Sequence, residues 1–232
     1  MTPIKLTPLH TVAQHHGAQF AEIGGWRFAE RYTSVETEMA VARSNVALAD
    51  VTPHGKLQIE GAAARDAVKA AFGAAPEKIG SGIEVDVGHL YRLRHDQFYL
   101  STPPGGESKA QTQLESAIAA HMLFVTVTDM THGLADLRLI GPASRAVLSQ
   151  LCSLDFADDA FPNMTAKQTS LAKTKQLVIR RDFSPLPTYT LLSAQSLATY
   201  LWEVVMEAGR EFGIAPIGVA ALARLENDLK QF

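Results

Sequence analysis

The sequence predicts an α+β protein made of two ferredoxin-like units, and an internal repeat is the main reason. The segment from Leu57 to Arg65 matches the segment from Leu137 to Arg145 without a gap, eighty residues later. Each copy is an alternating strand that ends at a glycine and continues into a helix. A strand hairpin and a second helix follow each copy, as in the ferredoxin-like βαββαβ unit. We therefore expect mainly antiparallel sheets with helices on one face.

The elements ahead of the repeat follow from hydrophobic periodicity and from the residues that start or stop helices. They are a helix over 9–16 that Gly17 ends, a strand over 18–23, a helix capped by Thr33 or Ser34 that runs to about Asn45, and a buried strand over 47–51. A Pro-His-Gly turn at 53–55 then leads into the repeat.

The two copies of the repeat continue in the same way. The first predicts a hairpin over 89–101, a helix over 107–121 and a last strand over 124–131, and the second predicts a hairpin over 176–192 and a helix over 196–212. No Gly/Ser-rich linker separates them. We expect one domain of residues 1–232 with two lobes, one of about 1–56 plus 125–232 and the other of about 57–124.

Composition excludes several classes of protein. The chain has 232 residues, of which 47% are apolar, and a formal charge of −3 without charge blocks. A chain of this length and apolar content can bury a hydrophobic core, but it has no basic patch that would bind nucleic acid or an anionic membrane. The polar residues at its amino terminus do not resemble a signal peptide, and no apolar stretch is long enough for a membrane helix. We expect a soluble, cytoplasmic protein.

The sequence also contains no motif for a metal site or a nucleotide-binding site. Cys152 is the single cysteine, so an internal disulfide and a thiolate metal cluster are excluded, and a buried structural thiol is the expectation. The neighbouring His15 and His16 point in different directions on a helix and have no partner at the i+4 spacing. The glycines lack the patterns of phosphate-binding loops. We expect no metal site and no covalently bound cofactor.

The segment from Gly25 to Tyr32 carries the most informative motif. Gly25-Trp26 is followed by Tyr32, six residues after the tryptophan, and then by Glu38, Arg43 and the Asp-Val-Thr run at 50–52. This register resembles the amino-terminal signature of the glycine-cleavage T-protein family. Taken by themselves, Trp26 and Tyr32 are expected to be buried structural aromatics.

The middle and the end of the chain extend the resemblance. The run from Val127 to Gly133, followed by an alternating strand and Gly141-Pro142, is similar to the gamma subunit of heterotetrameric sarcosine oxidase. The carboxy-terminal Arg224-Leu-Glu226 is again similar to the T-protein. The resemblance implies a folate-binding T-protein type of fold, here without the further carboxy-terminal β-barrel of the family because the chain stops at Phe232.

The resemblance also assigns candidate site residues. The family uses an Asp near the folate nitrogens, for which Asp86 is the candidate catalytic residue, and Tyr189, Arg224 and Glu226 are the candidates for binding tetrahydrofolate. At the position of a family Glu that holds the pterin, the closest counterpart is the apolar Leu186. A buried polar group of the pterin that is left without a partner costs about 1–3 kcal/mol, so the absence of this Glu is expected to weaken folate binding.

Two functions follow from these matches and departures. The first is an interaction subunit similar to sarcosine oxidase gamma, or a degenerate tetrahydrofolate binder, in one-carbon or methylamine metabolism. Its partner would be a flavin-containing oxidase or another subunit of a one-carbon pathway. The alternative is an active aminomethyltransferase or demethylase that moves a one-carbon unit from an amine to tetrahydrofolate. The resemblance leaves open whether the chain is an enzyme.

Overall fold

The structure is a computed structural model that describes residues 4–183 and 185–228, and it divides into two compact units. The described residues of the first unit are 4–52, 135–163, 168–183 and 185–228, and those of the second are 53–134 and 164–167. Ser184 lies outside the described residues, as do Phe232 and the other terminal residues at 1–3 and 229–231.

The first unit begins with a small sheet and a helix that leads to its main sheet. The elements are β1 (Lys5–Leu6), α1 (His10–His15), β2 (Gln19–Ile23), β3 (Trp26–Arg31), α2 (Val35–Ser44) and β4 (Ala47–Asp50). β3 lies between β1 and β2. The sequence analysis missed β3 because its charged residues at 27, 30 and 31 hide the alternation. Ser34 caps α2, since its Oγ accepts a hydrogen bond from the Thr37 amide at 3.1 Å.

The second unit is a ferredoxin-like βαββαβ unit with one added strand. Its elements are β5 (Gly55–Glu60), α3 (Ala64–Phe72), β6 (Gly82–Val85), β7 (Gly88–Arg94), β8 (Gln97–Thr102), α4 (Glu107–Ala120) and β9 (Thr126–Asp129). The strand order is β6-β7-β8-β5-β9, and all neighbours are antiparallel. Because β9 pairs with β5, this unit extends to residue 134, beyond the approximate lobe boundary expected near 124.

The main sheet of the first unit contains the second copy of the repeat. The remaining elements are β10 (Leu134–Ile140), α5 (Ser144–Leu151), β11 (Thr165–Leu171), β12 (Thr174–Arg180), β13 (Thr188–Ala194), α6 (Ala198–Ala208), β14 (Ala215–Pro216) and α7 (Val219–Asn227). The strand order is β11-β12-β13-β10-β4-β14. β4 therefore lies between β10 and the last strand of the repeat, antiparallel to β10 and parallel to β14.

Both faces of this main sheet are covered. Leu48 of β4 packs in one apolar cluster with residues of α5 and α6, whereas its neighbours Ala47 and Ala49 pack in a second cluster with residues of α2 and α7. This alternation is the two-residue period of a strand. Helices thus pack on one face, as the ferredoxin-like pattern predicts, and α2 and α7 add a layer on the other.

The glycines at the ends of β5 and β10 occupy equivalent turns. Gly61 and Gly141 have φ values of +145° and +125°, and each accepts a hydrogen bond from the first residue of the following helix. A Cβ on Gly141 would lie 2.6 Å from the carbonyl oxygens of Ala42 and Asn45. Only glycine fits such a position without strain, which explains why both copies of the repeat keep it.

No helix among the described residues is both long and apolar enough to cross a membrane. The same part of the chain contains no group of three or more His, Cys, Asp or Glu side chains that could hold a metal ion.

Candidate functional site

The amino-terminal motif converges on the buried carboxylate of Glu38. This side chain is on α2, is only 2% exposed, and accepts three backbone hydrogen bonds. Its Oε1 accepts from the amides of Tyr32 and Thr33 at 2.5 and 2.8 Å, and its Oε2 accepts from the amide of Gly218 at 2.8 Å. One carboxylate therefore fixes the end of β3, the start of α2 and the residue before α7.

The aromatic residues of the motif lie around this carboxylate or on the small sheet. Trp26 is buried, as the sequence predicts, and the Lys5 ammonium lies 5.5 Å from the centre of its ring. Tyr32 is half-buried, so burial is confirmed for Trp26 and is partial for Tyr32. Burial, followed by the negative charges of Asp50 and Glu38, raises the pKa of the Tyr32 hydroxyl. The Tyr32 hydroxyl therefore stays protonated at neutral pH. The role of the motif in this unit is structural, because its residues hold β3, α2 and the residue before α7 together.

The candidate catalytic residue Asp86 lies in the second unit, in the two-residue turn between β6 and β7. Its side chain is 54% exposed, and its Oδ2 lies 3.9 Å from the Lys109 ammonium on α4. The same oxygen accepts a hydrogen bond from the Gln113 amide at 3.2 Å. Asp86 is thus a surface carboxylate paired within its own unit.

The candidate folate ligand Tyr189 lies in the first unit, in the middle of the apolar cluster under α5 and α6. Its ring packs against Phe156 and Phe161, with ring centres 5.7 and 6.0 Å away. Burial raises the pKa of its hydroxyl, and the charges of Arg180 and Arg145 oppose that rise. The residue is fully buried, so a ligand reaches it only if the surrounding side chains move.

The other two candidates, Arg224 and Glu226, lie on α7 and form ion pairs in different directions. Arg224 donates to Glu36 on α2 at 2.9 Å, and both side chains are largely exposed. Glu226 accepts from Arg181, just after β12, at 2.7 Å. Arg181 also stacks over the ring of Phe183, 4.8 Å from its centre.

The structure does not bring the three candidates of the first unit together. Tyr189 belongs to the face of the main sheet that α5 and α6 cover, whereas the apolar residues of α7 belong to the opposite face. Tyr189 is therefore separated from Arg224 and Glu226 by the sheet itself. Within the described residues of the first unit, these positions do not line one cleft.

A polar cluster that the sequence analysis missed lies beside Tyr189. Arg180 is 5% exposed, binds both oxygens of Asp182 through Nε and Nη2, and pairs with Asp158 at 2.6 Å through Nη1. Arg145 donates to the same oxygen of Asp158. The hydrogen bonds from Arg180 and then from Arg145 lower the pKa of the Asp158 carboxyl. The Ile-Arg-Arg-Asp run at 179–182 is the sequence signal for this cluster. Successive side chains of a strand point to opposite faces, so one of the two arginines must face the core, where it needs a carboxylate partner.

Comparison with known protein families identifies the class of protein. The GCVT N-terminal domain matches residues 9–232, and the chain belongs to this family. The family resemblance that the motifs predict is confirmed, as is the α+β fold class.

Two curated relatives are longer proteins, and the chain aligns with only part of each. It is 30% identical to the sarcosine oxidase subunit alpha of Corynebacterium sp. (strain P-1), over 96% of this chain and 25% of that subunit. It is 26% identical to the aminomethyltransferase of Halalkalibacterium halodurans, over 99% of this chain and 65% of that enzyme. The chain thus spans between a quarter and just under two thirds of the length of these relatives.

Two solved structures share the fold. The glycine cleavage system aminomethyltransferase T from Bartonella henselae matches with a TM-score of 0.81 and 21% identity, over 96% of this chain and 62% of that one. A chain of the heterotetrameric sarcosine oxidase from Corynebacterium sp. U-96 matches with a TM-score of 0.69 and 22% identity, over 90% of this chain and 96% of that one. At these identities the likeness concerns the fold.

Proposed function

We propose that this chain is a T-protein-like scaffold of one-carbon or methylamine metabolism in the cytoplasm, which works within a larger assembly and binds tetrahydrofolate weakly if at all. The observation that carries the proposal is the separation of Tyr189 from Arg224 and Glu226 by the main sheet of the first unit. A reduced folate needs a carboxylate or carbonyl for its pterin and a cation for its glutamate tail, at opposite ends of one cleft.

The ion pairs of the candidate residues support the same proposal. Arg224 is bound to Glu36, Glu226 to Arg181, and Asp86 to the side chains of α4. A ligand would have to break each pair and replace it with contacts of its own. Leu186, which stands where the family has a Glu, packs against the apolar cluster under α2 and α7 and offers no acceptor to a pterin.

The partner in this proposal is a flavin-containing oxidase or another subunit of a one-carbon pathway. The similarity to a sarcosine oxidase subunit supports a partner of this kind, because the chain aligns with only a quarter of that subunit and the rest of the subunit has no counterpart in the alignment. In this reading the oxidation chemistry and any flavin belong to the rest of the assembly, and this chain contributes a folded domain.

The second candidate function is a tetrahydrofolate-dependent aminomethyltransferase or demethylase with Asp86 as its catalytic carboxylate. The similarity to aminomethyltransferases over nearly the whole of this chain favours it. In that case Asp86 would have to leave Lys109 and Gln113 and contact the folate.

Titration calorimetry with tetrahydrofolate separates the two functions. For the scaffold we expect a dissociation constant in the high micromolar range or weaker, about −5 to −6 kcal/mol. Asp86→Asn should change it by less than tenfold, and Glu84→Gln, an exposed carboxylate on the neighbouring β6, is the matched control. Low-micromolar binding that Asp86→Asn abolishes and Glu84→Gln leaves intact would overturn the scaffold and favour the transferase.

A further inference from the structure

A cavity of about 520 Å³ in the first unit is lined by residues from α1, from α6 and from the segment after α6. Its apolar lining includes Val12, Met206 and Ile214, which are half-buried and pack against the cluster under α5 and α6. The buried Trp202 also lines it, and the centre of its ring lies 6.2 Å from that of His16, just after α1. Binding sites for small molecules commonly have volumes of about 300–1,000 Å³, so the cavity has room for one.

The charged residues of the lining carry more negative than positive charge. Glu203 and Glu207 lie one turn apart on α6, and both side chains are exposed. Like charges at this spacing repel each other on a helix surface. Arg210 compensates one of them, because its Nη2 pairs with Glu207. Among the described residues, Glu203 forms neither a hydrogen bond nor an ion pair. With its histidines neutral, the lining therefore has one carboxylate without a cation.

We propose that this cavity binds a small organic ammonium ion, whose charged group pairs with Glu203 and whose carbon chain lies on the apolar lining. A protonated amine donates charge-assisted hydrogen bonds to a carboxylate, and these are stronger than hydrogen bonds between neutral groups. Its carbon chain would remove apolar surface of Val12, Met206 and Ile214 from water. A carboxylate ligand would instead be repelled by Glu203. The proposal goes beyond the proposed function, because none of the candidate folate residues lines this cavity.

Arg210 is the group with which such a ligand competes. Its guanidinium already provides a positive charge at the cavity, and its pair with Glu207 is a surface ion pair, since the two side chains are 76% and 64% exposed. Surface ion pairs contribute little to stability, so removing this one should leave the fold intact. Without Arg210, both carboxylates would lack a cation, and the cavity should bind an ammonium ion more tightly. Removing the charge of Glu203 should have the opposite effect.

The two tryptophans of the chain provide the measurement, because each gives one indole N–H resonance in a ¹H–¹⁵N spectrum. Trp202 lines the cavity, and its Nε1 is buried without a hydrogen-bond partner in the part of the chain that the structure describes. Its resonance should therefore respond to the electric field of a cation bound nearby. Trp26, on β3, does not line the cavity and serves as the internal control. The variant Trp26→Phe assigns the two resonances.

Titration with butylammonium, butyrate and butanol at constant ionic strength tests the class of ligand, because the three probes share a four-carbon skeleton and differ in charge. We expect butylammonium to shift the Trp202 resonance saturably and to leave the Trp26 resonance in place. Its dissociation constant should be at least about tenfold below those of butyrate and butanol. The proposal is overturned if butylammonium causes no saturable shift of the Trp202 resonance, or if either other probe binds within about tenfold of it.

Three substitutions test the role of Glu203. Glu203→Gln should weaken butylammonium binding by about two- to fivefold, and Arg210→Gln should strengthen it by a similar factor, as expected for single ion pairs near a protein surface. Glu211→Gln is the matched control, because Glu211 carries the same charge nearby but accepts from Gln150 and does not line the cavity. It should bind butylammonium as wild type does, and circular dichroism establishes that each variant is folded. The proposal fails if Glu203→Gln binds butylammonium as tightly as Glu211→Gln, or if Arg210→Gln binds it no more tightly than wild type.

Discussion

Replacing Glu38 tests whether one buried carboxylate holds three segments of the first unit together. Glu38 accepts from the amides of Tyr32, Thr33 and Gly218, and the last of these is 180 residues away along the chain. Glu38→Ala removes every one of these acceptors. Glu38→Gln keeps the size of the side chain and one oxygen, which can serve Tyr32 and Thr33, but it turns an NH₂ group towards the Gly218 amide.

The structure sets the expected magnitudes. A buried donor left without an acceptor costs about 1–3 kcal/mol. The Gly218 contact is fully buried and should lose that full amount, whereas the Tyr32 and Thr33 amides are only partly buried and can recover part of their loss from water. Removing the buried charge of Glu38 also returns some desolvation free energy. We expect Glu38→Ala to lower the free energy of unfolding by about 2–4 kcal/mol and Glu38→Gln by about 1–3 kcal/mol.

Urea unfolding with linear extrapolation measures both variants. Glu36 on the same helix is the matched control, because it is 73% exposed and forms only a surface ion pair with Arg224. Glu36→Gln should change the free energy of unfolding by less than about 1 kcal/mol. If Glu38→Ala is no less stable than Glu36→Gln, the three hydrogen bonds do not hold the segments together and the structural interpretation of the motif fails.

Three further perturbations follow from the same contacts. Trp26→Ala should lower the free energy of unfolding by about 3–5 kcal/mol, the usual cost of removing a buried aromatic, and a fully stable variant in urea would contradict its place in the core. Gly141→Ala should cost more than about 2 kcal/mol because its Cβ meets two carbonyl oxygens, whereas Gly73→Ala, with a positive φ but open space, should cost about 1–2 kcal/mol in the same assay. Because the folded state lowers the pKa of Asp158, its contribution to stability is present above the unfolded value of about 3.9 and is lost as pH falls through the folded value. Thermal unfolding at several pH values should therefore show the difference between wild type and Asp158→Asn shrinking below about pH 4, and a difference that grows there would contradict the ion pairs.

Most of the fold could be predicted because its signals are local. The repeat that begins at Leu57 and Leu137 appears as a strand, a glycine turn and a helix in both units, and the cap at Ser34 starts α2 as expected. β3 could not be predicted, since its pairing with β1 and β2 compensates for a sequence pattern that charged residues interrupt. The inserted position of β4 in the main sheet also depends on contacts far apart along the chain.

The candidate site shows where sequence reasoning ends. By itself, the sequence determined the family, the fold class and the residue types of the motif, because hydrophobic period and backbone torsion preferences are properties of short segments. Only the tertiary structure decided that Tyr189 lies on the opposite face of the sheet from the apolar side of α7, and that Arg145 and Arg180 share Asp158. A strand pattern shows which residues alternate, but not which helix covers each face or which distant charge lies there.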